Sequence, residues 1–520
     1  MKLSKLTIGV VFSILLIAGC GEASKEKSQA QGKIALSPGQ DLMAEYYFVG
    51  GIRLIAETNL QSLRSIAGDR STPPVMAQFV SGLGNLFKIR LLGAALTGTN
   101  DPAFLVTQSL LNDEQMGQFG VGPNNSLNAF IATRPSNPTL LRAAFQQLAE
   151  KFGATSATGS FNLSIKLPNQ QNRLLQVEQK ADWLLLSVSE PNSPQKARFE
   201  QFFKARSASA ITNYLDLQLD IAAVRKWDAD FLAPLKPATL ELAMSRKSSG
   251  VRTLGRLRFA GDVNWKSQPW KVPISIITDP LITFTALREV KPFFTSSKWF
   301  DDIGLPVFEK QVFLWAQGEV PFQLGVAIPV SNGKKQIEKV GKESIAKFNP
   351  ELKKANSGQL AMSPDSAAVI WNGLPYILPN LIATNTTEGE FLVARLFPPP
   401  VASGPIPKEL WDQFYPKKDL VLYDWELSSE RVGHWTVLHS LIPLLNSNGS
   451  NNDPRVARRN SRLEKWLTTT APLLGNTITE VIQTEADDLQ VLRRSDLGFT
   501  GFELVRLAFY LDHLNDLPAK

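Results

Sequence analysis

Apolar residues along the chain recur in two rhythms, every second residue or every third and fourth, and the rhythm predicts the element. Ser126–Thr133 (SLNAFIAT) reads as a strand, punctuated afterwards by Pro135 and Pro138. Leu141, Ala144, Phe145, Leu148 and Phe152 then recur at helical spacing. Alternating or apolar segments at 159–167, 173–180 and 182–189, with turn residues between them, predict an antiparallel sheet. The same order returns later. A strand over 322–330 leads through Ser331-Asn332-Gly333 into a helix marked by Ile337, Val340, Ile345 and Phe348. Two short strands follow, at 358–363 and 366–372.

A sharper correspondence lies between two alternating segments. Tyr214–Leu219 (YLDLQL) is followed by Trp227 in a predicted helix, and Leu422–Leu427 (LYDWEL) by Trp435. An offset of 208 aligns Asp216 with Asp424, Leu219 with Leu427, Val224 with Val432 and Trp227 with Trp435. Both lead into strand pairs, 238–244 with 251–260 and 477–484 with 488–495. The offset is not constant along the chain. We therefore expect an α+β fold of two related units, 41–275 and 276–520, each an antiparallel sheet with helices packed on one face. The second unit carries an insertion near 446–465, and Pro398–Pro400 and Asn446–Asp453 read as exposed loops.

The N-terminus follows a different pattern. Lys2 and Lys5 precede the apolar run Leu6–Ala18, 13 residues long, which is short for a bilayer span and fits a signal-peptide core. The run ends in Leu16-Ile17-Ala18-Gly19-Cys20, at the chain's one cysteine. This segment resembles the lipobox of bacterial lipoproteins. The resemblance covers only the first 20 residues or so. It implies diacylglyceryl transfer to the Cys20 sulfur, cleavage of residues 1–19, and acylation of the new amine. The membrane is then a partner through the acyl groups, since one chain alone binds only marginally. Residue 21 is Gly, not Asp, which by the same resemblance favours the outer membrane, facing the periplasm, in a two-membrane cell. Residues 20–40 read as a polar tether between lipid and body.

Composition narrows the classes further. The 520 residues exceed the ~250–300 at which single cores stop growing. A chain 43% hydrophobic and 20% charged is not a disordered one, and one long apolar run does not make a polytopic membrane protein. One cysteine excludes an intramolecular disulfide framework and a cysteine-based zinc site. Without residues 1–19 and their two lysines, 53 basic residues face 48 acidic ones, a mild +5 that does not indicate nucleic-acid binding.

Reaction motifs are absent from the sequence. It has no GxSxG elbow, no HExxH and no phosphate loop, and Gly120-Val121-Gly122 reads as a turn. His434, His439 and His513 are read as structural, and no cofactor is expected. Asp228/Asp230, Asp301/Asp302 and Asp487/Asp488 fit turns and helix starts. Asp216 and Asp424 alternate with strand leucines, and a glycosidase would need the two within ~10 Å. Arg455, Arg458, Arg459 and Arg462 form one stripe on a predicted helix, read either as a dock for anionic partners or as a solvated face. Residues 75–96, the most apolar part of the body, read as a core helix under the first sheet or as the lining of a lipid or peptide groove. The body resembles no family that implies an activity. The expectation is a lipid-anchored envelope protein that binds or scaffolds an envelope protein or lipid without catalysis. The alternatives are an exported hydrolase using Asp216 or Asp424, and a carrier of a hydrophobic ligand.

Overall fold

The computed structural model describes residues 42–516, except 95, 123–125, 152–154, 157–161, 167–172, 191–192, 210–212, 228–236, 248–249, 263–267, 289–310, 319–320, 322, 375–376, 400, 402–403, 407, 415–416 and 446–453. The predicted signal segment, Cys20 and the tether lie outside these residues, as do Asp228, Asp230, Asp301 and Asp302. No described helix is long and apolar enough to cross a membrane.

The first half opens with β1 (Leu42–Phe48), then the helices α1 (Gly51–Ala56), α2 (Gln61–Gly68), α3 (Thr72–Leu92) and α4 (Pro102–Asn112). The hairpin β2 (Glu114–Val121) and β3 (Leu127–Arg134) leads to α5 (Pro138–Lys151). Four strands follow: β4 (Thr155–Ser156), β5 (Asn162–Lys166), β6 (Leu174–Lys180) and β7 (Trp183–Ser189). Then come α6 (Pro194–Ser207), β8 (Leu215–Asp220), α7 (Ile221–Trp227), β9 (Thr239–Lys247) and β10 (Gly250–Arg258). The second half begins with the short β11 (Thr278–Asp279), then β12 (Leu281–Arg288), β13 (Gln311–Gln317), β14 (Leu324–Val330) and α8 (Gly333–Lys354). Next are β15 (Gln359–Met362), β16 (Ala368–Asn372), β17 (Asn380–Thr386), β18 (Gly389–Arg395) and β19 (Gly404–Pro405), which pairs only with β11. The chain ends with α9 (Lys408–Phe414), β20 (Leu420–Leu427), α10 (Ser428–Leu445), α11 (Pro454–Thr470), β21 (Asn476–Glu485), β22 (Asp488–Ser495) and α12 (Gly501–His513).

Twenty of these strands form one antiparallel sheet, so the fold is α+β. Its centre is the β10–β22 pair, eight residues of unbroken register with Leu254 opposite Leu492. Outward from β10 the order is β9, β8, β1, β2, β3, β7, β6, β5, β4. Outward from β22 it is β21, β20, β12, β13, β14, β18, β17, β16, β15.

Helices cover both faces, not the one expected. In β7, Leu184, Leu186 and Val188 pack with Leu141, Phe145 and Leu148 of α5. The intervening Trp183 and Leu185 pack on the other face with Phe199 and Phe202 of α6. Covered twice, all seven residues of β7 are buried, which is why its sequence is an apolar run with little alternation.

Most of the apolar segment 75–96 is a core helix, α3, which ends at Leu92; its Phe87 packs on the core of the first half's sheet, while its other apolar face meets a second core. Val75, Phe79 and Leu86 of α3 pack against Leu463, Trp466 and Leu467 of α11 and Leu504, Val505 and Ala508 of α12. Gly82 allows the approach, because a Cβ there would lie 2.4 Å from the Leu511 carbonyl oxygen. A helix from the first half is thus built into a helical layer of the second. Lys88, buried in α3, pairs with buried Asp101, which also accepts from the Thr97 hydroxyl at 2.7 Å and caps α4 through the Ala103 N–H at 3.0 Å. Burial raises the Asp101 carboxyl, but the bonds from Lys88, Thr97 and Ala103 outweigh it and hold the group at about 2.

Candidate functional site

Two clefts carry clusters of charge. The first, about 610 Å³, is lined by Arg53, Glu114, Arg134, Lys180, Asp182 and Arg206 among others. Its charges largely answer one another. Arg134 reaches Asp182 at 2.5 Å, Lys180 reaches Glu200 at 3.2 Å, and Arg206 of α6 pairs with Asp216. Asp216 also accepts from the Asn213 amide at 2.6 Å. Half-exposed pairs of this kind are ordinary surface electrostatics.

The second cleft, about 370 Å³, lies against the central strands of the second half, under α10 and the start of α12. Its floor is β20, where Leu422, Asp424 and Glu426 share one face by strand alternation. Thr285 of β12 donates to Asp424 at 2.5 Å. Arg493 and Thr479 come from β22 and β21, and the Arg493 Nε donates to the Thr479 hydroxyl at 3.0 Å.

The N-terminus of α12 closes one side. Thr500 caps the helix and Glu503 returns to the Thr500 N–H at 2.8 Å, forming a capping box. Glu503 also takes a two-pronged bond from Arg493, at 2.6 and 3.0 Å. Glu426, 4% exposed, accepts from the Gly501 N–H at 2.6 Å and from Ser428 at 2.7 Å. Burial first, and then the nearby Asp424 charge, push the Glu426 carboxyl up to about 7, against the pull of these bonds and of Arg431. Burial also raises the Asp424 carboxyl, opposed by Thr285 and Arg493.

The other wall is α10. Arg431 lies over the Trp435 ring at 4.7 Å, and that ring packs on Phe502 at 4.6 Å between centroids. Arg431 Nη1 and Trp435 Nε1 are buried donors with no hydrogen-bond partner among the described residues. Burial lowers the Arg431 pKa, while the Glu426 and Asp424 charges act to raise it.

The residues singled out by sequence meet this geometry unevenly. Asp424 and Trp435 line the cleft. Asp216 does not. Asp216 lies opposite Tyr47, whose ring packs with Phe199 and Phe202 of α6. In the second half α9 precedes β20, and its Phe414 packs on Tyr423, not on Asp424. Between β8 and β20 lie four strands, so the two aspartates are about 24 Å apart at ~4.8 Å per step. They cannot act as a pair.

Of the arginine stripe, all four positions are helical in α11, but only the Arg462 side chain is among those described, and it is exposed. His434 is buried in α10 and His513 is exposed beside Asp516. The His439 side chain lies outside the described residues. Gly120 and Val121 end β2, and only Gly122 enters the expected turn. No group of metal-binding side chains forms among the described residues. Sequence reasoning missed Glu426, Arg431, Arg493 and Glu503. Two signals were present: a second acid two residues after Asp424, and Thr500-Gly-Phe-Glu503 as a capping-box pattern. No family model, curated protein or solved structure matches this chain.

Proposed function

We propose that this chain is a lipid-anchored envelope protein, descended from a duplicated α+β unit, whose body binds a ligand in the cleft beneath α10 without transforming it. The strand order supports the duplication. From Asp216, directly opposed partners lead through Ala243 to Leu254; from Tyr423 they lead through Glu480 to Leu492. Leu254 and Leu492 are themselves opposed. Two copies related by an axis perpendicular to the sheet meet at such a self-paired position, because the axis keeps each residue on its face.

Under this match Leu217 answers to Asp424, Leu219 to Glu426, Leu242 to Thr479 and Tyr46 to Thr285. That replacement carries the functional reading. The four first-half residues are buried in one apolar cluster under α7. Each buried leucine of this kind is worth about 1.5–3 kcal/mol. The second half gives up that layer and opens a charged cleft in its place. A mainly apolar pocket with a few converging charged groups, where the sister copy has core, supports a site kept for binding. Its charged floor suits a polar ligand better than an acyl chain. The lipid anchor rests on the resemblance at Cys20.

The test uses the full-length chain in its own envelope. A photocrosslinking residue at Phe502, on the cleft rim, should give a discrete mass-shifted adduct. The same residue at Leu140, exposed in the first half, should give none. Hydrolysis is the second reading, favoured by the raised carboxyl of Asp424. Turnover of an ester or cell-wall substrate, abolished in Asp424→Asn, together with no adduct at 502, would replace binding by catalysis.

A further inference from the structure

We infer that the cleft takes a zwitterion of the amino-acid or short-peptide class, its carboxylate on Arg431 Nη1 and Trp435 Nε1 and its ammonium on Asp424. This rests on the reading of the cleft as a binding site. Arg493 and Glu503 neutralise one another through two hydrogen bonds. Glu426 receives Gly501 and Ser428 on one oxygen, Oε1, at the foot of α12. Three further groups line the cleft with capacity to spare. Asp424 accepts one bond, from Thr285 through Oδ1. Arg431 Nη1 and Trp435 Nε1 have none.

Buried donors without acceptors are costly, the more so on a guanidinium, and an incoming carboxylate relieves two at once. A simple anion would still meet the negative field of Asp424 and Glu426, both close enough to act on Arg431. A simple cation would leave the two donors unmatched. A molecule carrying both charges satisfies the three groups and adds no net charge. The Trp435 and Phe502 rings, packed at a tilt, supply with Leu422 an apolar wall for a side chain, and about 370 Å³ leaves room for one.

Blocking the ends of the ligand tests this without disturbing the protein. Calorimetric titration of the full chain would compare alanyl-phenylalanine with its N-acetyl form and its C-terminal amide. The free dipeptide should saturate the site, and each blocked form should bind about tenfold or more weakly, the cost of one charged hydrogen-bonding partner. In Asp424→Asn the free and acetylated forms should become equal, and in Arg431→Gln the free and amidated forms should. These ratios hold even where a variant is less stable. Equal binding of free and blocked forms to the wild type, or no saturation by about 10 mM, would overturn the inference. If the Phe502 adduct still formed in the envelope, the ligand class alone would fall. If it did not, the binding reading would fall with it.

Discussion

Replacing Glu426 with glutamine removes a proton-binding site from the cleft floor while keeping an oxygen for Gly501 and Ser428 to bond. The Glu426 carboxyl titrates at about 7 in the fold against an ordinary 4.5, because burial and Asp424 disfavour its anion. The folded chain therefore holds this proton more tightly than the unfolded chain. Stability is greatest below the ordinary value and falls as pH rises from 4.5 through 7. That gap is worth roughly 3 kcal/mol once the group is fully ionised. Urea unfolding followed by tryptophan fluorescence, from about pH 5 to about pH 8, reads the effect directly. The wild type should weaken across this range. Glu426→Gln should lose most of the slope and exceed the wild type at about pH 8. Asp424 and Glu45, raised in the same direction by burial, contribute any slope of the same sign that remains. Parallel curves for the two proteins, or a variant weaker at every pH, would refute the assignment of the proton to Glu426.

Lys88→Met strands a buried Asp101 carboxylate and should cost about 3–5 kcal/mol, with most of it recovered in Lys88→Met/Asp101→Asn, as chemical denaturation would show. Because the Asp101 carboxyl is held at about 2, its stabilising effect should be complete above its ordinary 3.8 and fade as pH falls through 2, a loss absent from Asp101→Asn. Gly325→Ala should cost about 1–3 kcal/mol, since its Cβ would sit 2.3 Å from the Trp315 indole, whereas Gly433→Ala, with open space in α10, should gain about 0.5–1 kcal/mol. Thermal melts of the two variants should therefore move in opposite directions. Cys20→Ser should abolish incorporation of labelled fatty acid into the protein, and persistent labelling would remove the anchor.

Most elements inside the body were legible because their environments are simple. β8, with leucines on one face and polar residues on the other, lies at 215–220 as its alternation indicates, and β9, β10, β21 and β22 follow in place. The strand β12 (LITFTALR) was not anticipated, since burial on both faces erases the alternation that marks a strand. The sharing of α3 with the second half was also hidden, because an amphipathic pattern says that a helix is covered and not by what. The aspartates shared by the two alternating segments meet different surroundings, since Asp216 pairs with Arg206 of α6 whereas Asp424 is bonded to Thr285 in the cleft, and alternation alone does not tell these apart. The cleft is built from β12, β20, β21, β22, α10 and the N-terminus of α12. Its members are spread over some 220 positions, so the grouping exists only in three dimensions.

The β10–β22 seam has a consequence for solubility. A sheet of twenty strands has only two free edges, and among the described residues they are β4, of two residues, and β15, of four. Had either half existed alone, its last strand, β10 with nine residues or β22 with eight, would have offered a long unpaired rim of N–H and C=O groups to any neighbour. Joined in one chain, each covers the other. A body with such short rims resists the strand-to-strand aggregation that crowding would otherwise promote.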